Sequence, residues 1–296
     1  MKKVNFLLFF LLFYVLTVFT ACKKESQEQS LTQEQLLIKE GQSSVSEKIA
    51  VPETANPVNA GSCMQNNNDY NTFYGPQVQM GNGHVRSWIN IHRQHNKPMA
   101  IGIELTAGSL QNLPTNPENF PANTFILKLH QKAKEVTALD HITINWEPAG
   151  HEPPGIYDVP HFDMHFYKIT VEQQMAITGI PGPAPMPGYL PASYVIQAAT
   201  VPQMGTHWID PSSPELPPTS APFTHTFIYG SNNGQVIFLE PMITRAFLLG
   251  GSAVNKPFPQ PLHFSPDHTY YPTVYKIWKS AESNRHYVAL TNFVWR

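Results

Sequence analysis

The residues best suited to chemistry are concentrated in one stretch of the chain, 150–167. The side chains in it that can bind a metal or carry a proton are His151, Glu152, Asp158, His161, Asp163 and His165. Successive side chains of a β-strand point to opposite faces. A strand over 160–167 therefore places His161, Asp163, His165 and Tyr167 on one face. Phe162, Met164 and Phe166 then face a core, so the pattern predicts a row of polar groups backed by an apolar wall.

This row predicts a divalent-metal site with His161, His165 and His207 as ligands. Zinc is the favoured ion, because three neutral imidazoles and one water suit a catalytic zinc centre, in which the pKa of the bound water falls towards ~7. Glu152 and Asp163 are the predicted catalytic residues, since a carboxylate beside the metal can accept a proton.

The spacing of the two strand histidines limits this interpretation. On a straight strand the Cα atoms of His161 and His165 are roughly 13 Å apart, so joint ligation requires a bulge, a strong twist or a helical turn. Alternatively, one histidine binds the metal and Asp163 orients the other. Further candidate ligands are His151, Glu152, His225 and Glu240. The competing structural interpretation is a buried hydrogen-bonded network that fixes the fold.

The elements that must position this row are mostly strands, because polar and apolar residues alternate over much of 61–296. Two hairpins are predicted, over 77–91 around a glycine-rich turn and over 224–240. Short helices are predicted at 132–138 and at 241–249, the second because proline suits a first helical turn and Gly250-Gly251 an end.

Proline usage completes the predicted architecture. Eleven of the 28 prolines lie between Pro181 and Pro222, which predicts a long irregular loop with a functional or oligomer-contact role. The predicted fold class is mainly β, an antiparallel barrel or sandwich with one or two short helices and a long proline-rich loop. The sequence contains no second linker and no internal repeat, so 61–296 is predicted to be a single domain.

The N-terminal residues predict delivery to the bacterial cell envelope. Residues 1–21 have the basic start and short apolar run of a signal peptide, and the small residues before Cys22 resemble a lipobox. Lipid on Cys22 would hold the protein on the outer membrane, facing the periplasm or the cell surface. Residues 22–60 are polar and free of aromatic side chains, as expected of a flexible tether.

Composition excludes several classes of function. Removal of Lys2 and Lys3 with the signal peptide changes the formal net charge from −2 to −4, which argues against binding to nucleic acid. With Cys22 lipidated, Cys63 is the only other cysteine, so a thiolate metal site is excluded. The motifs of nucleotide-binding loops, serine hydrolases and thiol proteases are missing from the sequence.

Three segments carry a resemblance: WEPAGHEPPGIYDVPHFDMHFY at 146–167, GTHWID at 205–210 and IFLEPMITRAFL at 237–248. Together they resemble an uncharacterised family of bacterial envelope lipoproteins related to a β-rich Thermus domain of unknown function. The resemblance covers most of 61–249. It implies a β-rich fold, and it implies no mechanism because the activity of that family is unassigned.

Two functional hypotheses follow from the sequence. In the first, a membrane-anchored extracytoplasmic lipoprotein uses a His/Asp metal site on a small substrate. In the second, the same domain is a non-catalytic envelope binding or assembly module, with the proline-rich loop as its contact surface for an envelope protein or for another copy of the chain.

Overall fold

The computed structural model describes residues 69–116, 121–197 and 200–296 of the 296-residue chain. The strands in these ranges are β1 (Tyr70–Tyr74), β2 (Val78–Met80), β3 (Gly83–His92), β4 (Pro98–Thr106), β5 (Thr124–Lys128), β6 (His141–Glu147), β7 (His161–Tyr167), β8 (Val195–Ile196), β9 (Thr206–Ile209), β10 (His225–Asn232), β11 (Gln235–Thr244), β12 (Val254–Pro257), β13 (Tyr270–Tyr271), β14 (Val274–Ser280), β15 (Arg285–Thr291) and β16 (Val294–Trp295). The helices are Gln131–Val136, Val171–Met175 and Arg245–Gly250, with a 3₁₀ turn at Ala107–Leu110.

The strands form two seven-stranded antiparallel sheets. Sheet A has the order β1-β3-β4-β15-β14-β12, with β2 also paired to β3, and sheet B has the order β5-β6-β7-β11-β10-β9-β8. A small third sheet pairs β13 with β16. Neither large sheet closes on itself within the described ranges, so the mainly β fold class is confirmed in its sandwich form.

The main core lies between the two large sheets. Sheet A contributes aliphatic side chains such as Ile101 and Val288, and sheet B contributes Phe162, Met164 and Phe166 of β7. All five side chains have no accessible surface. This packing confirms the predicted apolar face of β7, and it leaves the opposite face of sheet B free to carry polar groups.

The described part of the chain contains three α-helices, whereas the sequence predicted one or two. The unpredicted helix, Val171–Met175, begins with a capping box. The Thr170 side chain accepts from the amide of Gln173, and the Gln173 side chain accepts from the amide of Thr170. The sequence signal for it was therefore the Thr-x-x-Gln spacing.

The helix predicted at 241–249 begins four residues later, at Arg245. Residues from Pro241 to Thr244 continue β11 instead, and Pro241 lies opposite Phe227 of β10. The hydroxyl of Thr244 accepts from the amide of Phe247 and caps the helix, so the cap fixes where the helix begins. At the other end, Gly251 has a φ of 71°, as a helix-ending glycine commonly does.

The proline-rich segment is more ordered than predicted. It contains β8 and β9, which extend sheet B beyond β10, and β9 pairs with β10 through Thr206, His207 and Trp208. The Trp208 indole N–H donates to the Ser231 hydroxyl at 2.8 Å, which fixes the position of β9. Within the described ranges, no helix combines the length and apolar character needed to span a membrane.

Candidate metal centre

The outward face of sheet B carries the predicted polar row. His161, Asp163 and His165 of β7 are all buried, with 0 to 3 % of their surface accessible. On neighbouring β6, Glu147 lies opposite His161 and Asn145 opposite Asp163. On the other side, β11 places Met242 opposite Asp163. These strands therefore present several hydrogen-bonding side chains to one covered surface.

Three of these groups form what we call the inner cluster: His165, His207 and Glu240. Their candidate ligand atoms all lie within 4.8 Å of one another. The Oε2 atom of Glu240 is 3.5 Å from Nε2 of His165 and 3.7 Å from Nε2 of His207. Glu240 and His165 lie on adjacent strands, whereas His207 comes from β9, beyond β10 in the sheet.

A glycine and an aromatic ring allow His207 to reach across β10. His207 lies opposite Gly230, which has no side chain. The Phe238 ring fills the space beside Gly230 and contacts both histidine rings, with centroids 4.7 Å from His165 and 5.2 Å from His207. The inner cluster therefore rests on a buried aromatic support.

A second set of groups, the outer cluster, consists of His151, His161 and Asp163. Asp163 uses one oxygen for each histidine: Oδ1 is 3.1 Å from Nε2 of His161, and Oδ2 is 3.5 Å from Nε2 of His151. His151 comes from the loop between β6 and β7, where Gly150 has a φ of 72°. A Cβ atom at Gly150 would overlap the backbone of Tyr157, so the loop can fold over the sheet only with glycine there.

Backbone carbonyls determine how the outer histidines are oriented. The Nδ1–H of His161 donates to the carbonyl of Val159 at 2.6 Å, and that of His151 donates to the carbonyl of Glu152 at 2.7 Å. With Nδ1 fixed in this way, each ring directs Nε2 towards Asp163, as an acceptor when the ring is neutral and as an N–H donor when it is protonated. Metal-binding histidines in proteins are oriented by hydrogen bonds of the same kind.

Both clusters contain buried polar atoms that lack a hydrogen bond. In the outer cluster these are Nε2 of His161 and Oδ1 of Asp163, and in the inner cluster they are both ring nitrogens of His165 and Oε2 of Glu240. A buried polar atom without a partner is costly and uncommon in native proteins. A histidine nitrogen faces a carboxylate oxygen across each gap, so a shared proton or a metal ion can serve as the partner of both atoms.

The separations between histidine nitrogen and carboxylate oxygen in both clusters are close to the edge lengths of a coordination polyhedron. Zinc bonds of about 2.0–2.1 Å place the ligand atoms of a tetrahedral site about 3.3–3.4 Å apart. The four separations between histidine nitrogen and carboxylate oxygen range from 3.1 to 3.7 Å, and all candidate ligand atoms of each cluster lie within 4.8 Å of one another. Both clusters therefore have the donor atoms and the spacing to hold a metal ion.

The inner cluster is electrostatically suited to binding a cation. Burial lowers the pKa of His165 to about 3 and that of His207 to about 4, so both imidazoles are neutral at neutral pH. Burial, with the nearby charge of Asp163, raises the pKa of Glu240 well above its ordinary value. Without a cation, Glu240 consequently tends to hold a proton, which a metal would displace.

In the outer cluster, by contrast, the charges of His151 and Asp163 stabilise each other, so the charged forms of both side chains are favoured. Burial works to lower the pKa of His151, but the charge of Asp163 outweighs it and raises that pKa to about 10. Burial opposes ionisation of Asp163, yet the positive charges of His161 and His151 lower its pKa well below the usual range. Nearby Glu147 has a pKa raised to about 7, mainly by burial and then by repulsion from Asp163.

A cavity of about 380 Å³ lies over both clusters. Its floor is sheet B, and its roof is the proline-rich segment, whose Gln197 side chain donates to the carbonyl of Glu152 at 3.2 Å. The lining residues are Glu147, His151, Glu152, Asp163, Gln197, Thr200, Val201, Pro202, Met204, His207, Glu240 and Met242. A small molecule in this cavity would contact atoms of both clusters.

The predicted ligands are divided between the two clusters. His165 and His207 meet in the inner cluster with Glu240, whereas His161 belongs to the outer cluster with His151 and Asp163. The β7 strand contains no helical turn that would bring His161 and His165 to one ion. His225 lies elsewhere, since its Nδ1 is 2.8 Å from the hydroxyl of Tyr275 and it belongs to neither cluster.

The predicted carboxylates both reach the cavity, together with one that sequence analysis missed. Asp163 is buried and belongs to the outer cluster, whereas Glu152 is exposed at the cavity wall. Glu147 was not predicted, although it follows the alternating residues of β6 and so shares the face of Asn145. Cys22 and the segments 1–21 and 22–60 lie outside the described residues.

A smaller cavity of about 160 Å³ lies away from both clusters, surrounded by aromatic side chains. In it, Nζ of Lys168 donates to the carbonyl of Ser265 at 2.8 Å and lies 5.8 Å from the centre of the Tyr271 ring. Burial lowers the pKa of Lys168 to about 7. No residue of either cluster lines this cavity, so it is separate from the candidate metal centre.

Comparisons of this chain with models of protein families, with curated proteins and with solved structures found no match. The resemblance to an envelope lipoprotein family therefore stays a prediction, and the functional argument depends on the geometry of the two clusters.

Proposed function

We propose that this protein binds a divalent metal ion at the inner cluster, His165, His207 and Glu240, and uses it to activate water against a small substrate in the cavity. The observation that carries the proposal is a set of three ligand atoms close enough to share an ion, of which those of His165 and Glu240 are buried and lack a hydrogen bond. Two neutral imidazoles and one carboxylate form a donor set that suits zinc and also ferrous iron.

An open coordination position supports a catalytic role over a structural one. Structural zinc sites have four protein ligands, whereas catalytic sites keep three and leave a position for water. The inner cluster supplies three, and the cavity borders both His207 and Glu240. Glu147 lines the same cavity and could accept a proton from the bound water, as a carboxylate does in metal-dependent hydrolysis.

The cavity also supports a restricted class of substrate. Its volume suits a molecule smaller than most drugs, since ligand pockets commonly measure ~300–1,000 Å³. Apolar side chains from Val201, Pro202, Met204 and Met242 form part of the wall. We therefore favour a small, partly apolar substrate with a carbonyl or ester group that water can attack.

Metal analysis of the purified protein tests the first step of the proposal. We expect about one equivalent of divalent metal at the inner cluster. In the His207→Ala variant this equivalent should be lost, because removal of a ligand should weaken binding by at least ~100-fold. His84→Ala is the matched control, since His84 is exposed on sheet A and belongs to neither cluster.

The same samples test the second step with 4-nitrophenyl acetate as the probe. Hydrolysis should require metal, and Glu147→Gln should lower the rate at least ~10-fold while the metal content is unchanged. Less than about a tenth of an equivalent of metal in the wild type would refute the proposal and favour a non-catalytic envelope binding module. Equal rates with and without metal would refute the activation of water.

We further propose that this domain is delivered to the membrane as a lipoprotein. The support is the sequence alone: a basic start, a short apolar run and small residues before Cys22. Expressed in bacteria, the wild type should fractionate with membranes and take up labelled palmitate. Cys22→Ser should abolish the labelling, and labelling that persists in this variant would refute the proposal.

A further inference from the structure

We infer that the outer cluster, His151, His161 and Asp163, binds a second divalent metal ion, so that sheet B carries a two-metal centre facing one cavity. This inference rests on the proposed function, because the second ion would lie beside the metal ion proposed for the inner cluster. It adds a cofactor site and an electrostatic consequence for the substrate.

The first argument is the preorganisation of the outer cluster. His161 is completely buried, and its Nδ1–H is held by the carbonyl of Val159, so Nε2 can point only towards Asp163. At 3.1 Å from Oδ1 of Asp163, this nitrogen still lacks a hydrogen bond, as does the oxygen. This close pair without a hydrogen bond leaves a position for an ion that bonds to both atoms.

A second argument is the packing that prevents His161 from turning away. The Phe223 ring meets the imidazole edge to face at 5.5 Å, and the ring of His151 meets it at 4.7 Å. With Phe223 packed against its ring and Nδ1 held by the carbonyl of Val159, the imidazole can find a further partner only on the side of Asp163 and His151. That partner must be Asp163 or an ion shared with it.

The position of Asp163 links the two clusters. Asp163 and His165 point to the same face of β7, two residues apart, so their Cα atoms are separated by about 6.6 Å. Asp163 and His151 of the outer cluster line the same cavity as His207 and Glu240 of the inner cluster. Two ions held by these groups would therefore act on one bound molecule.

The competing interpretation is an ion pair between a protonated His151 and Asp163, with no metal. Such a pair would use Oδ2 of Asp163, which is 3.5 Å from Nε2 of His151. It would leave Nε2 of His161 and Oδ1 of Asp163 buried and without partners. A metal ion satisfies all three residues at once, which is why the geometry favours it.

A second ion would also change the charge of the cavity. The carboxylates in its lining are Glu147, Glu152, Asp163 and Glu240. Two divalent ions would compensate these four negative charges, and a developing negative charge on a reacting oxygen could then be stabilised between the ions. The inferred centre therefore favours a substrate whose reaction builds negative charge on oxygen.

Metal stoichiometry tests the inference with one variant for each cluster. Zinc-loaded wild type should contain about two equivalents, and His161→Gln and His207→Ala about one each. The double variant should contain almost none, and His84→Ala should keep both. If His161→Gln does not fold, as judged by circular dichroism, His151→Ala replaces it, because His151 lies in a loop and is only half-buried.

Manganese provides a second measurement, since two nearby Mn²⁺ ions give an exchange-coupled electron paramagnetic resonance spectrum. We expect coupling in the wild type and isolated-ion spectra in both single variants. One equivalent in the wild type that survives in the outer-cluster variant would overturn the inference and leave the proposed function standing. Less than about a tenth of an equivalent in the wild type would overturn both.

Discussion

Replacement of Glu240 by glutamine is expected to abolish metal binding at the inner cluster and to raise the melting temperature of the metal-free protein. Glu240 is 1 % exposed, and its Oε2 atom has no hydrogen bond. Without a cation, the fold therefore contains a carboxyl group in an unfavourable environment, which costs about 1–3 kcal/mol. Glutamine has nearly the same shape and no charge, and its amide N–H can donate to the neutral ring of His165 or His207, so the variant removes that cost and loses a metal ligand.

The effect on stability has a predictable dependence on pH. The pKa of Glu240 is raised in the folded protein, so above pH 4.5 the unfolded chain loses a proton that the folded protein keeps. This group therefore makes the metal-free wild type less stable as pH rises from 4.5 towards the folded pKa, by at most about 1.4 kcal/mol per pH unit. Glutamine does not titrate, so the advantage of Glu240→Gln should widen over that window.

Asp163→Asn is the matched control, because it also replaces a carboxylate by an amide but should shift the melting temperature of the metal-free protein in the opposite direction. The positive charges of His161 and His151 overcome burial and lower the pKa of Asp163, so its ionised form stabilises the fold. That contribution is present above pH 3.8 and is lost as pH falls through the folded pKa. At neutral pH, Asp163→Asn should therefore lower the melting temperature of the metal-free protein.

Thermal unfolding with and without zinc separates the two effects of Glu240→Gln. A ligand at 100 times its Kd stabilises a folded protein by about 2.7 kcal/mol, so zinc should raise the melting temperature of the wild type by several degrees. Glu240→Gln should lack the inner-cluster part of this increase. Zinc stabilisation equal to that of the wild type, or a metal-free variant less stable than the wild type, would contradict the expectation.

Sequence periodicity was sufficient to predict the β7 face and its chemical character. In a sheet with one buried side, the alternation of polar and apolar residues in β7 allows only one orientation of the strand, with Phe162 and Met164 facing the core. The same periodicity could not identify the partners, because these come from strands whose pairing is a property of the whole fold. The pairing of β7 with β11 joins residues about 75 positions apart, and no local pattern determines that neighbour.

The division into two clusters also depends on long-range geometry. A straight strand separates His161 from His165 by roughly 13 Å, and no distortion in β7 overcomes that distance. Each histidine instead meets a residue brought by another segment: His151 from the loop before the strand, and His207 from β9. β9 was hidden from sequence analysis because it has only four residues, all half-buried, within a proline-rich segment.

Gly230→Ala is expected to destabilise the protein and to weaken metal binding at the inner cluster, although residue 230 is not a ligand. A Cβ atom at this position would overlap three carbon atoms of the Phe238 ring, far inside van der Waals contact. The ring is completely buried and packs against His165, Tyr167 and His207, so it cannot move without displacing the two histidines. Overpacking of this kind costs about 1–3 kcal/mol.

Two other glycines provide controls for Gly230→Ala. A Cβ atom at Gly250 meets nothing within 4 Å, so Gly250→Ala should leave both stability and metal binding close to wild type. A Cβ atom at Gly102 would overlap the backbone of Val288 and Ala289 in sheet A. Gly102→Ala should therefore lower the melting temperature without changing the affinity for metal in the folded protein, because sheet A contributes no ligand.

A second substitution can show that the Phe238 ring transmits the effect of Gly230→Ala. Shortening the ring by Phe238→Leu removes the atoms that the new methyl group would overlap. The double variant should therefore be destabilised by about 0.5–3 kcal/mol less than the sum of the two single variants. If the two effects on stability are additive, the methyl group acts on the backbone of β10 and not on the ring. If the zinc affinity of Gly230→Ala equals that of the wild type, the position of His207 does not depend on this contact. Coupling together with weakened zinc binding would instead assign to Gly230 and Phe238 the positioning of His207 beside Glu240.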